Sequence, residues 1–352
     1  MTTWTLAAAK ALHELPFLEL IHQAATVHRA HHDPNKVQIS TLISIKTGGC
    51  PEDCGYCPQA ARYHTEVEGE PLLSVARVKA QALRAQAAGS SRVCLGAAWR
   101  NVKDGPEFEQ VLEMVREVSR LNMEVCCTLG MLTPHQAKRL EEAGLYAYNH
   151  NVDSSEEYYK EIISTRAYED RLETLRNVRK TAVTLCSGGI IGMGESLEDR
   201  MSMLVRLANM DPYPESVPIN ALVPVEGTPL EGQAPVSIFE MVRMVATARI
   251  LMPETQVRLS AGRTSMSPEG QALCFYAGAN SIFAGDKLLT TPNPDIAEDQ
   301  ALFRALGIQP QAPYEKHAPR KAADIVSPAL GEKPKWSRPG HQIPRNEEKR
   351  RR

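Results

Sequence analysis

Three cysteines, Cys50, Cys54 and Cys57, fall in one short loop, Thr47-Gly-Gly-Cys50-Pro-Glu-Asp-Cys54-Gly-Tyr56-Cys57-Pro58. A C-x3-C-x2-C spacing in a Gly- and Pro-rich segment lets the backbone wrap a cuboidal object and aim three thiolates at three of its corners. Thiolates favour iron–sulfur clusters or zinc. A structural zinc site closes with a fourth ligand, from a second C-x2-C pair or from closely spaced histidines, and no such second pair follows. Three ligands around a four-iron cluster leave one iron open, and an open position is what a catalytic metal site needs.

A second constellation lies downstream. Cys94 sits in SRVCLGAAW, Cys126 and Cys127 in MEVCCTLGML, and Cys186 in VTLCSGGIIGMGE, all strand-like runs. Side chains alternate across a strand, so one of Cys126 and Cys127 faces the inside of a sheet and the other faces out. Inward cysteines at matched heights on successive strands converge on one small site, which predicts a second cluster. Cys274, in a helical pattern, reads as core packing.

The elements that carry these residues alternate short β-branched runs with longer helical patterns. Strands are expected at 37–45, 92–97, 123–129, 147–152, 182–191, 216–222, 257–260 and 281–283. Helices are expected near 74–88, 107–121, from Pro134, 168–180, from Ser196, 236–250 and 268–276. Thr133 is a helix cap, and Ser196 with Asp199 resembles a capping box. Strand–helix alternation implies a parallel sheet, and eight right-handed units close into a TIM-type (β/α)8 barrel of the α/β class. Chemistry in such barrels sits at the C-terminal strand ends. A doubly wound open sheet is the competing architecture, but it places a Gly-rich phosphate turn after its first strand, where this chain has cysteines.

The 352 residues, 43% hydrophobic and 23% charged, fit a soluble globular protein. No apolar run reaches the roughly 18 residues a membrane span needs. The first residues lack a basic region before an apolar core, which predicts no signal peptide and a cytoplasmic protein. A net charge of −2 gives no nucleic-acid footprint. Eight cysteines in such a chain suggest metal or redox chemistry rather than disulfides.

Three regions are expected: an N-terminal helical extension over 1–36, the barrel over 37–311 and a basic tail over 312–352. The stretch before Pro34 reads as one amphipathic helix packed on the barrel end, with His22, His28, His31 and His32 on a solvated face. The tail carries eleven Lys/Arg against five Asp/Glu, with six Pro. That is the composition of a disordered, solvated appendage.

The cysteine loop, with an aromatic residue before its third cysteine, resembles the radical S-adenosylmethionine superfamily. The strings TLISIKTGGCPEDCGYCPQAARYHT, GAAWRN, CTLGMLT, YNHNVDSSEEYY, CSGGIIGMGE, ESVPINALVPVEGTPL, VRLSAGR and AGANSIFAGDKLLTTPNP are similar, in order and spacing, to the biotin synthase family. The similarity runs from about Thr3 to about Pro310 and stops short of the tail.

The resemblance implies that Cys50, Cys54 and Cys57 bind a [4Fe–4S] cluster whose open iron chelates S-adenosylmethionine, with Tyr56 beside it. It implies that Cys94, Cys126 and Cys186, with Arg258, hold a [2Fe–2S] cluster deeper in the barrel. Cys127 is then an outward core residue. A protonated guanidinium has no free lone pair, so Arg258 as an iron ligand would have to be neutral or weakly coordinating. Asn151 and Asp153 would contact dethiobiotin and the adenosyl ribose, Arg171 would pair with the methionyl carboxylate, and Asn220 would help hold the ureido ring.

The implied reaction is sulfur insertion between two saturated carbons of dethiobiotin to form biotin. An adenosyl radical abstracts hydrogen and a sulfide of the [2Fe–2S] cluster traps the carbon radical. The implied partners are a flavodoxin- or ferredoxin-type electron donor and a second copy in a homodimer, with no nucleic acid and no membrane. The rivals are another radical S-adenosylmethionine barrel of the hydrogenase-maturase kind and a non-catalytic iron–sulfur carrier. Neither explains the set Cys94, Cys126, Cys186 and Arg258 alongside YNHN and SAGR.

Overall fold

The computed structural model describes residues 3–285 and 287–315. Two helices lead the chain, α1 (Leu6–His13) and α2 (Phe17–His31). Then come β1 (Lys36–Lys46), α3 (Val75–Ala87), β2 (Arg92–Ala97), α4 (Pro106–Ser119), β3 (Glu124–Thr128) and α5 (Pro134–Glu142). The middle holds β4 (Ala147–Asn149), α6 (Glu156–Ile162), α7 (Tyr168–Arg179), β5 (Thr184–Cys186), β6 (Gly189–Ile191) and α8 (Leu197–Ala208). It continues with β7 (Ser216–Ala221), α9 (Ile238–Leu251), β8 (Gln256–Leu259), α10 (Pro268–Tyr276) and β9 (Ser281–Ala284). A hairpin, β10 (Lys287–Leu288) and β11 (Thr291–Pro292), precedes α11 (Ile296–Leu306) and β12 (Gln309–Pro310).

Strands β1 to β9 pair in parallel in chain order, β5 and β6 sharing one position, and β1 pairs β9 to close the ring. This is the expected eight-unit barrel with helices outside. The α4 sequence shows why the layers form: Pro106 opens the helix, and Phe108, Val111, Leu112, Val115 and Val118 recur at three- and four-residue steps and are all buried. Both caps read from the sequence are present, Thr133–Gln136 on α5 and Ser196–Asp199 on α8.

The run expected as one strand over 182–191 is broken at Ser187-Gly188. Cys186 pairs Ser216 and Gly189 pairs Ile219, so both halves keep one register on β7 across the break. A Cβ on Gly188 would lie 2.0 Å from the Pro218 carbonyl oxygen.

The N-terminal expectation needs correction. There are two helices, and they run along the barrel's flank, α2 against α9 and α1 against α8 and α9. The reason lies in α9, which buries Met241, Val242, Met244, Val245, Ala248 and Leu251, apolar on more sides than the sheet alone can cover. His28 and His32 are accordingly buried rather than solvated, with the His32 ring 2.9 Å from Arg249 Nη1, while His22 is exposed.

At the N-terminal end of the barrel the chain closes the floor. β12 pairs with the start of β1. The Tyr314 amide donates to Glu124 Oε1 at 2.8 Å, its hydroxyl to the Met123 carbonyl at 2.8 Å, and its ring meets Tyr146 edge-on. Residues 312–315 of the basic segment are thus tied to the floor by hydrogen bonds, with Ala312 and Tyr314 exposed. The expected disorder of the rest falls on 316–352, outside the described residues.

Candidate active site

β1 delivers the cysteine loop to the C-terminal mouth. Gly48 and Gly49, at φ of 68° and 66°, start the turn. Within it the Cys50 amide donates to Gln59 O at 2.9 Å and the Cys57 amide to Cys54 O at 2.9 Å. Two braces tie the loop to the segment between α6 and α7. The Gly55 amide donates to Ile162 O at 2.8 Å. The Asp53 carboxylate accepts from the amides of Ser164 and Thr165, both at 3.0 Å, and from both hydroxyls. Burial alone would raise Asp53, but these hydrogen bonds outweigh it and hold the carboxyl well below its usual range. Burial pushes the Cys54 thiol up to about 11 and Cys57 up to about 12, and raises Cys50 as well. Metal loading therefore releases protons.

The lower cysteines project from neighbouring strands. Cys94 and Cys126 are in register on β2 and β3. With Cys186 of β5 and Ala147 they form a small cluster apart from the main core, and Cys127 lies in the main core on the other face. Cys274 is buried there too. The closeness of Cys126 lowers Cys94 and Cys186 and raises Cys126, and the nearby Arg258 and Arg92 lower Cys94 and Cys186 further against their burial. Arg258, 1% exposed, places Nη1 at 3.7 Å from Cys186 Sγ and its guanidinium 4.7 Å from the Phe283 ring centre.

Between the two sets stands Asp153, at φ of 68°. Its carboxylate accepts from the Tyr56 hydroxyl at 2.9 Å and from Arg171, whose Nε also donates to the Tyr159 hydroxyl at 3.0 Å. The fork of Arg171 is thus engaged by the protein's own groups. Asn151 Oδ1 accepts from the Gly188 amide at 3.1 Å. Asn220 bridges two strands, donating to Gly189 O at 2.9 Å and accepting from the Ala261 amide at 3.2 Å.

One cavity of about 330 Å³ reaches all of these: Cys50, Tyr56 and Cys57 at the mouth, Cys94, Cys126 and Arg258 in the interior, and Asn151, Asp153, Arg171 and Asn220 along the wall. Cys54 and Cys186 sit just behind this lining. Leu288 and Leu289 of the β10–β11 hairpin line it from above.

Sequence reasoning missed the polar floor and the Asp53 brace. A signal for the floor existed. Arg92 and Glu124 each stand two residues before an inward cysteine, which places them on the same strand face, and they pair in register.

The donor chemistry can be tested against metal type. Among the described residues no three His, Cys, Asp or Glu groups are placed to hold one metal ion. Both candidate sets are all-cysteine, with three thiols each and an open side toward the cavity, which fits sulfur-bridged clusters.

The Radical SAM superfamily profile matches residues 44–207, and the Biotin and Thiamin Synthesis associated domain matches 218–309. The chain is 70% identical over 346 residues to a biotin synthase from Christiangramia forsetii, covering 97% of this chain and 95% of that one. It is 69% identical over 352 residues to a biotin synthase from Flavobacterium johnsoniae, covering 98% and 97%. Among solved structures, methylornithine synthase matches at a TM-score of 0.73 and 19% identity over 88% of this chain and 95% of that one. The FeFe-hydrogenase maturase HydG from Carboxydothermus hydrogenoformans matches at 0.73 and 16%, over 87% and 76%. Those two likenesses bear on the fold alone.

Proposed function

The chain belongs to the biotin synthase family of radical S-adenosylmethionine enzymes, and on that premise we propose how its residues divide the conversion of dethiobiotin to biotin. The cofactors are a [4Fe–4S] cluster with S-adenosylmethionine, which supply a hydrogen-abstracting radical, and a [2Fe–2S] cluster, which supplies sulfur. In this reading Cys50, Cys54 and Cys57 hold the first cluster, and Cys94, Cys126, Cys186 and Arg258 the second. The single observation that carries it is the one cavity with both cysteine sets in or against its wall.

The chain's own groups hold and shield. Asp153 accepts hydrogen bonds from a ribose diol when the adenosyl group enters, and Tyr56 and Arg171 keep its carboxylate aimed. Arg171, with two donors already engaged, presents its remaining N–H groups to a methionyl carboxylate. Asn151 and Asn220 line the wall where a ureido ring, itself a donor and acceptor, would lie. The apolar hairpin residues Leu288 and Leu289 keep water from the reacting carbons.

The same reading includes a flavodoxin- or ferredoxin-type electron donor, a homodimer and a cytoplasmic location. It is supported by the family, and no helix among the described residues is long and apolar enough to cross a membrane.

The deciding experiment is anaerobic cluster reconstitution followed by dithionite, S-adenosylmethionine and dethiobiotin, with products identified by mass spectrometry. Biotin together with 5′-deoxyadenosine is expected. Deoxyadenosine without biotin, from protein with full iron and sulfide, overturns the substrate. Neither product overturns the enzyme in favour of a carrier.

A further inference from the structure

Arg258 is gripped from the side away from the cavity. Gln38 of β1, Ser281 of β9 and Arg258 of β8 lie level, Gln38 paired with Ser281 and Ser281 with Arg258. Arg258 Nε donates to Ser281 Oγ at 2.9 Å and Nη2 to Gln38 Oε1 at 3.1 Å, which leaves Nη1 on the cysteine side. The Gln38 amide has only one workable orientation. Its Nε2 donates to Glu124 Oε2 at 3.0 Å. Turned over, it would set donor against donor at Arg258 and acceptor against acceptor at Glu124. Glu124 is itself fixed by Arg92 Nε at 2.8 Å and Nη2 at 2.7 Å, and by the Tyr314 amide at 2.8 Å. Gln38, Glu124, Arg92 and Arg258 are 3%, 2%, 3% and 1% exposed. At that depth water does not compete for these bonds, and each is correspondingly stronger.

Resting on the reading that Arg258 is the fourth protein ligand of the lower cluster, we propose that Gln38, locked by Glu124, is a positioning residue that fixes which nitrogen of Arg258 meets that cluster. Outer partners of metal ligands orient them and tune the metal they bind. Gln38 touches neither cavity nor cysteine, so its effect passes through Arg258. A Gln38 that merely fills space would change stability without changing the spectrum of the cluster.

The test uses the holoprotein carrying both clusters, with Gln38→Leu, Arg258→Met and the double variant. The visible absorption and circular dichroism bands of the oxidised [2Fe–2S] cluster are read beside iron content and thermal midpoint. Arg258→Met is expected to move the bands. Gln38→Leu should move them in the same direction by less, with [4Fe–4S] content unchanged, and should add nothing in the Arg258→Met background. Bands unmoved by Gln38→Leu, or shifts that add in the double variant, overturn the proposal. Bands unmoved by Arg258→Met overturn the ligand assignment itself, and the positioning role with it. If Gln38→Leu fails to hold the lower cluster, Gln38→Met, closer in shape, is measured instead. Cluster loss there too, with a fallen midpoint, assigns Gln38 a structural role and overturns the proposal.

Discussion

Cys126 and Cys127 are chain neighbours on opposite faces of β3: Cys126 lies level with Cys94 inside the barrel, and Cys127 lies level with Leu95 in the layer beneath the helices. Both are wholly buried, so burial does not distinguish them; facing does. Cys127→Ala is expected to keep full iron at both sites and cost about 1 kcal/mol, the scale of a small core deletion. Cys126→Ala should keep the upper cluster and lose the lower. Iron and sulfide counts with urea unfolding check both.

Asp53 holds the cysteine loop through four hydrogen bonds from Ser164 and Thr165. Asp53→Ala removes all four acceptor contacts while leaving every cysteine in place. We expect [4Fe–4S] content and biotin formation to fall by roughly 10–100-fold, the usual scale for lost outer-shell support, with the lower cluster retained. Selective iron analysis and turnover measure this.

Asp153 neutralises Arg171, and both are buried. Asp153→Asn leaves that cation without its counter-charge and should destabilise the fold by about 3–5 kcal/mol while weakening S-adenosylmethionine binding. Tyr56→Phe removes one hydrogen bond to the same carboxylate and should cost about 1 kcal/mol. Equilibrium dialysis and thermal unfolding separate the two.

His13 predicts an acid sensitivity. Burial, with Arg243 and Arg200 adding repulsion, lowers its pKa to about 4 from 6.5. Its Nδ1 lies 3.0 Å from Thr247 Oγ1 of α9. Between pH 6.5 and 4 the unfolded chain takes up a proton that the folded chain refuses, so stability is full above 6.5 and falls as pH drops. The slope is at most about 1.4 kcal/mol per pH unit. Urea unfolding across this window should show the slope, and His13→Gln should remove it.

Gly188 has no room for a side chain. Its added Cβ would lie 2.0 Å from a backbone oxygen of β7, which cannot swing aside as a side chain can. Gly188→Ala should displace the β5–β6 junction that follows Cys186 and abolish lower-cluster binding, read as iron per chain.

The barrel and its cysteines were legible because both rest on local pattern. Strand alternation separates inward from outward residues, and a cysteine loop after the first strand needs no distant partner to be recognised. What was not legible depends on partners far apart in the chain. His28 and His32 are buried because α9, more than two hundred residues on, needs a cover. The grip of Gln38 on Arg258 joins β1 to β8, and α6 was missed because seven residues give few turns of periodicity. The eleven-residue α11 had a local signal, Asp295 capping it with Glu298 three residues on, which was not read. The break at Ser187-Gly188 had a local signal, Ser-Gly-Gly interrupting the apolar run, but the close approach of Gly188 to Pro218 depends on a distant strand.

The polar floor, with Tyr314 bound to Glu124 and the buried Arg92, Gln38 and Arg258 above it, stands at one end of the barrel interior, and Cys50 and Cys57 stand at the other. Among the described residues one cavity carries Cys50, Cys57, Cys94 and Cys126 in its wall, so whatever fills its upper half narrows the way to the lower half. On the proposed reading the two halves share one space, and exchange in the lower half competes with occupancy of the upper.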